Sequence, residues 1–443
     1  MKDQRWNFFP SFSLGWNVAR ENFWKPLESV VNQFKLRGSW GELGNQNTSN
    51  LYPFYEILPV KSNSGNWLVN GGKTNTADIP SLVSTLLTWE RVRSFNVGFD
   101  FGAFSNRLTG SFDYFVRKTV DMVGPAPQLP LVLGIAPAIV NNADMKSYGF
   151  EIELSWRDRI GEVDYGVKFN LADAQQKVVK YPNTTNAFSD WYAGKMSGEI
   201  WGYTSLGIAK TDEEMKEHLA SLPNGGQNQL GNKWGAGDIM YADINGDGKV
   251  DGGKGTLADP GDQRIIGNST PRYNFGLVLD ASYKGFDVSI FFQGVGKRDY
   301  APIVGTNGAV FWGAVNNIWQ SMAMEEHFDY FRPEGHPMGA NLNGYYPRPD
   351  FTSNKNHQVQ TRYLQDASYI RLKNLQIGYT LPKQWINKLH INRCRVYVSG
   401  DNLWTGTSLA SMFDPETLAA GDWGSGKTYP LSKVISFGLN VNF

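Results

Sequence analysis

The chain has 443 residues with 42 basic and 42 acidic side chains, so its formal net charge is zero, which excludes the basic excess of a nucleic-acid binder. One cysteine, Cys394, excludes a disulfide framework and any multi-cysteine metal site. Aromatic residues at 14%, 48 glycines and only 19% charged residues lean towards β structure; no run approaches the roughly 18 apolar residues of a membrane helix, which leaves membrane β-barrels open.

Period-two alternation dominates the chain. Phe95, Val97, Phe99 and Phe101 share one face against Asn96, Gly98 and Asp100. Phe150, Ile152, Leu154 and Trp156 oppose Glu151, Glu153 and Ser155, and Tyr273, Phe275, Leu277 and Leu279 oppose Asn274, Gly276 and Asp280. The C-terminus repeats the pattern, with Ile435, Phe437, Leu439, Val441 and Phe443 on one side. Each such run reads as a strand with one apolar and one polar face. Strands are expected near 11–18, 34–42, 92–101, 107–118, 148–157, 163–178, 271–283, 286–297, 368–380, 392–402 and 433–443.

The connections then alternate in length. Short or medium ones fall at 19–33, 102–106, 158–162, 284–285 and 381–391, and long ones at 43–91, 119–147, 179–270, 298–367 and 403–432. A meander with tight turns on one rim and long loops on the other is the pattern of an antiparallel transmembrane β-barrel with long extracellular loops. A soluble sandwich also alternates apolar and polar residues, but nothing in it segregates loop lengths. Aromatics flanking the strands, such as Trp16, Trp40, Trp89, Trp156 and Trp404, suit interfacial girdles or simply the strand preference of aromatic side chains. One helix is expected at 212–219, with Thr211 as N-cap and acids in its first turn.

Among chemical motifs, the sharpest is the run Asp243 to Asp251. Asp243, Asn245, Asp247 and Asp251 stand at positions 1, 3, 5 and 9 of a calcium loop, with Gly246 at the sharp turn and the Lys249 carbonyl at position 7. Position 12 departs, since Lys254 replaces the bidentate Glu; Asp259 and Asp262 offer substitute carboxylates, and Asp262 is the expected one. The alternative is an Asx/Gly turn cluster without metal; if Ca2+ binds, its role is structural. Residues 421–428 match the phosphate-binding loop formally, but Pro430 and the last strand follow where that motif needs a helix, so no nucleotide site is expected. Glu151 and Glu153 have the spacing of a carboxylate pair, and in a barrel they become lumen-facing acids. No catalytic constellation stands out, and no enzyme activity is expected. In 298–367, Trp312, Trp319, Tyr330, Tyr345 and Tyr346 stand among Asn, Asp and Arg. They are candidate substrate-binding residues, suited to stacking on sugars or peptide side chains, or else they pack the loop on itself.

Several segments resemble the SusC/RagA family of TonB-dependent outer-membrane transporters. They are Phe9-Pro10-Ser11-Phe12-Ser13-Leu14-Gly15-Trp16, Leu36-Arg37-Gly38-Ser39-Trp40-Gly41, Thr88-Trp89-Glu90, Asn106-Arg107-Leu108-Thr109-Gly110-Ser111-Phe112-Asp113-Tyr114, the acidic loop with Gly237-Asp238-Ile239 before it, Ala367-Ser368-Tyr369-Ile370-Arg371-Leu372-Lys373-Asn374 and Tyr397-Val398-Ser399-Gly400-Asp401-Asn402-Leu403. The terminal Phe443 resembles that family's barrel-assembly signal. The resemblance implies an outer-membrane importer of oligosaccharides or peptides, working with a SusD-like surface lipoprotein and driven by the TonB complex. It further implies that residues 1–443 form about half of a 22-stranded barrel, with plug, TonB-contacting segment and signal peptide absent, as in a truncated frame or fragment. A soluble or secreted carbohydrate-binding β-protein with a calcium-pinned loop is the competing expectation.

Overall fold

The computed structural model describes residues 6–45, 55–80, 82–84, 87–124, 130, 132, 134–135, 137–302, 325–350, 355–387, 390–418 and 428–443. Among these residues eleven strands form one antiparallel sheet in sequence order. They are β1 (Ser11–Asn17), β2 (Val31–Asn45), β3 (Glu90–Ala103), β4 (Leu108–Val123), β5 (Asn141–Ile160), β6 (Val163–Lys180), β7 (Arg272–Tyr283), β8 (Phe286–Lys297), β9 (Tyr369–Thr380), β10 (Arg393–Thr407) and β11 (Val434–Asn442). Every strand pairs with its chain neighbours, and among the described residues the sheet ends at β1 and β11 without closing. No helix of the described residues is long and apolar enough to cross a membrane.

All eleven expected strands are present, several of them longer than their alternation suggested. Register explains how the faces stay separate, since residues directly opposite in an antiparallel ladder point the same way. Leu36 lies opposite Phe99, Phe99 opposite Phe112, Phe112 opposite Ile152 and Ile152 opposite Leu171. The apolar series continues through Leu171 with Phe275, Ile377 with Val398, and Val398 with Phe437. Ring centroids lie 5.7 Å apart for Phe34 and Phe99 and 5.6 Å apart for Phe99 and Phe112, in the range where aromatic pairs attract. Phe437 is 83% exposed on this face, as a lipid-facing side chain would be in the absence of lipid.

The other face is polar. The Arg37 guanidinium bridges Asp100, 2.9 Å away, and Asp113, 2.8 Å away. Gly98 lies opposite both Arg37 and Asp113. A Cβ there would fall 2.5 Å from Asp113 Oδ1, so only glycine lets this bridge span three strands. Glu151 and Glu153 belong to the same face, opposite Asp113 and Ser111, which fits their reading as lumen-side acids. On this face Gln33, Asp100, Ser111, Glu153, Lys168 and Asn170 help line a crevice of about 550 Å³.

The short rim carries the turns between β3 and β4, β5 and β6, and β7 and β8. Described parts of the long connections 181–271, 298–368 and 408–433 lie beyond the opposite ends of the strands. The helix expected within the first of these, α1, spans Asp212–Ala220, and Thr211 Oγ1 accepts the Glu214 N–H at 3.1 Å.

Candidate functional site

Described parts of three of the long loops pack into one layer. Its apolar centre gathers Tyr203, Ile239, Tyr241, Tyr346, Tyr363 and Phe413 from three different connections. Short ladders carry the chain through it, Ser205–Ile208 pairing with Ile239–Tyr241. A polar network fixes it from within. Asp238 is fully buried, and its Oδ2 accepts Lys355 Nζ and Arg348 Nη2, each at 2.8 Å, while Oδ1 accepts Asn356 Nδ2 at 3.0 Å. Lys355 Nζ also donates to the Lys233 carbonyl at 3.0 Å and lies over the Trp234 ring, so a buried ammonium finds several acceptors. Gln227 replaces a strand neighbour, donating to the Ile239 carbonyl and accepting the Tyr241 N–H.

A third connection joins the layer through Arg371 on β9. Its guanidinium reaches Asp414 and Glu416, both at 2.7 Å, and Lys373 reaches the second Glu416 oxygen at 2.6 Å. Arg298 also donates to the Pro415 carbonyl, and Tyr300 meets the Phe413 ring edge-on. The 408–418 segment is thereby held to the rim at the start of the preceding long loop.

The acidic loop lies against this layer. Asp262, expected as a calcium ligand, accepts backbone N–H groups from across the loop. Asp262 Oδ1 accepts the N–H of Ile244 and of Asn245, at 2.7 and 3.3 Å, and Oδ2 accepts that of Asp251 at 2.8 Å. Asp243 accepts the N–H groups of Gly246 and Gly248, and Asp247 that of Lys249. Asn245 accepts the Asp247 N–H, and the Lys249 ammonium lies 2.5 Å from Asp251. Among the described residues no group of three or more His, Cys, Asp or Glu side chains is arranged to hold a metal ion. Burial raises the pKa of Asp262, whereas the hydrogen bond from Lys249 lowers that of Asp251.

Of the aromatic candidates, Tyr330, Tyr345 and Tyr346 come together. Tyr330 and Tyr346 form a bridge, and the rings of Tyr345 and Tyr346 lie 5.0 Å apart. Tyr346 is only 2% exposed, stacked with Tyr363 and edge-on to His327. Its ring packs the loop and offers no open face to a solute. Tyr345 is half-buried beneath Arg362, and Tyr330 stays half-exposed beside Arg332. Trp312 and Trp319 lie outside the described residues, as do 421–427 of the phosphate-loop look-alike. Phe443, directly after β11, is 80% exposed. Sequence reading missed Lys355, Arg348, Asp414 and Glu416, whose partners are 43 to 117 positions away; no local spacing signals such pairs.

Comparison with known proteins places these features in a family. The model of the TonB dependent receptor-like β-barrel matches residues 2–403. TonB-dependent receptor P3 of Formosa agariphila is 29% identical across the whole chain, which covers 42% of that protein. TonB-dependent receptor SusC of Bacteroides thetaiotaomicron is 23% identical, again across the whole chain, covering 40% of it. A solved structure of the RagAB peptide transporter superposes with a TM-score of 0.73 at 22% identity, over all of this chain and 44% of the matched one. The chain spans about four tenths of the length of the curated relatives it matches.

Proposed function

The chain belongs to the TonB-dependent receptor-like β-barrel family, a family of the outer membrane, and on that premise we propose that it supplies wall and exterior loops to an importer of oligosaccharides or peptides. The single observation that carries this reading is the division of labour between the rims: tight turns on one, and on the other the described parts of three long connections folded into one layer around Tyr241 and Asp238. In such a barrel the long loops face the exterior, so a solute meets the packed layer first and the polar wall around Arg37 and Glu153 next.

Relatives named SusC and RagAB support a SusD-like lipoprotein as the exterior partner and the TonB complex as the source of energy. The RagAB match, a peptide transporter, supports peptides, and the half-exposed Tyr330 and Tyr345 suit sugars equally. The broad apolar outer face speaks against a soluble carbohydrate-binding protein, which would have to bury it. Calcium is proposed as a structural ion of the acidic loop, held by Asp243, Asn245, Asp247, Asp251, Asp262 and the Lys249 carbonyl.

The test is uptake by the native host with the gene deleted, over a panel of oligosaccharides and of peptides, together with affinity purification of the intact protein. A selective uptake defect and a co-purifying surface lipoprotein are expected. Unchanged uptake of both classes, with no lipoprotein recovered, would overturn the proposal.

A further inference from the structure

Four neighbouring strands carry cations at one height. Arg93 on β3 lies opposite Lys118 on β4, Lys118 opposite Lys146 on β5, and Lys146 opposite Lys177 on β6. Arg93 is two residues from Phe95, Lys118 two from Val116 and Lys146 two from Tyr148. All four therefore belong to the apolar outward series and not to the lumen face. Like charges directly opposite across strands repel. One of the four is compensated, Arg93 by Glu42 at 2.6 Å. Lys146 lies 5.2 Å from the centre of the Tyr148 ring. Among the described residues no carboxylate pairs with Lys118, Lys146 or Lys177.

The height of the row is informative. Leu108 opposite Trp156 marks the short-rim end of β4 and β5, and Lys118 opposite Lys146 lies about ten residues further along. At about 3.3 Å per residue and a tilt of about 45°, that is about 23 Å. The apolar band of an outer-membrane barrel is about 25 Å tall, so the row stands where the hydrocarbon of the exterior leaflet ends. Directly below it Phe95, Val116, Tyr148 and Phe150 continue the apolar surface on β3 to β5, while Gln175 and Asp173 stand at the same heights on β6.

We propose that this row binds the phosphate-bearing headgroup of an anionic lipid of the exterior leaflet. Three uncompensated cations above a strip that is apolar on β3, β4 and β5, with Gln175 and the Asp173–Arg272 pair below Lys177 on β6, complement a molecule that is anionic at its head and hydrocarbon below. The lysine stems lie along the apolar surface while their ammonium groups reach the headgroup layer. A soluble anion would gain nothing from the strip beneath.

The test uses the intact protein in detergent, with bound lipid counted by native mass spectrometry. The probes are a diphosphorylated glycolipid, the same glycolipid without its phosphates, and inorganic phosphate as competitor. The phosphorylated lipid is expected to be retained, and the combined change Lys118→Gln, Lys146→Gln and Lys177→Gln to weaken it roughly 10- to 100-fold. The corresponding triple change to Arg keeps retention. Equal retention by the Gln variant, equal binding of the phosphate-free lipid, or displacement by inorganic phosphate at lipid-equivalent concentration each overturns the proposal. If the Gln variant does not assemble, the unmodified protein decides. Its lipid retention must fall between about 50 mM and about 500 mM salt, and a salt-independent result overturns the site.

Discussion

The Lys355 ammonium lies 2.8 Å from the Asp238 carboxylate, and neither side chain is more than 1% exposed. The two residues are 117 positions apart, so this contact joins two long connections that share no strand. Removing one partner of a buried ion pair leaves the other charge desolvated, at a cost of about 3–5 kcal/mol. Lys355→Met is expected to approach the lower figure, because Arg348 still reaches Asp238. Hydrogen exchange should accelerate at residues 235–241 and 355–363 and remain unchanged in the strands β3 to β6. Uniform acceleration throughout the sheet would show that the exterior layer is not a separate cooperative unit.

Arg371 makes the corresponding connection for the last long loop. Its side chain is 4% exposed and that of Asp414 7%, and no third cation besides Lys373 reaches the acids among the described residues. Arg371→Ala is expected to release residues 408–418 to limited proteolysis while heat-modifiable mobility, the mark of the barrel, is retained. Unchanged cleavage there would assign the anchoring to Arg298 and Tyr300.

Strands were legible because the bilayer imposes a rule on every second residue. The expected spans 286–297 and 271–283 meet the observed Phe286–Lys297 and Arg272–Tyr283. Where that rule lapses, legibility lapses too. β5 begins at Asn141, seven residues before its expected start, and the added stretch holds Asp144 and Lys146. There the ladder continues above the hydrocarbon without any demand for apolar side chains. The exterior layer obeys no period at all. Tyr346 is conspicuous as an aromatic residue, but its burial depends on Tyr363 and His327, contacts fixed only by the tertiary fold. The sequence singled out Asp262 as a candidate calcium ligand; that it accepts three backbone N–H groups was not legible, because no local spacing announces it.

At the acidic loop two experiments separate the ion from the scaffold. Calcium is expected to raise the thermal midpoint of the intact protein, and Asp247→Ala to abolish that rise, since Asp247 contributes through an exposed carboxylate. Absence of a calcium-dependent shift in the unmodified protein removes the ion from the account. Asp262→Ala is expected to destabilise the loop with or without calcium. It strands three N–H groups that now donate to one carboxylate; that of Asp251 is buried, and an unsatisfied buried group costs about 1–3 kcal/mol.

Acid should loosen the exterior layer through His357. Burial lowers the pKa of this imidazole from 6.5 to about 4, and the residue is 5% exposed. Its neutral form is therefore the one the folded layer accepts, while the unfolded loop binds a proton already near pH 6.5. Between those values the unfolded state holds more protons, so stability rises with pH across the window and is lost as pH falls through it. The loss amounts to about 3 kcal/mol once pH is below about 4. Hydrogen exchange at residues 355–363, followed from about pH 7 to about pH 4.5 and corrected for intrinsic rates, should show protection falling with acidification. His357→Gln, which cannot titrate, should flatten that dependence. A variant that kept the same pH dependence would transfer the effect to another group of the layer.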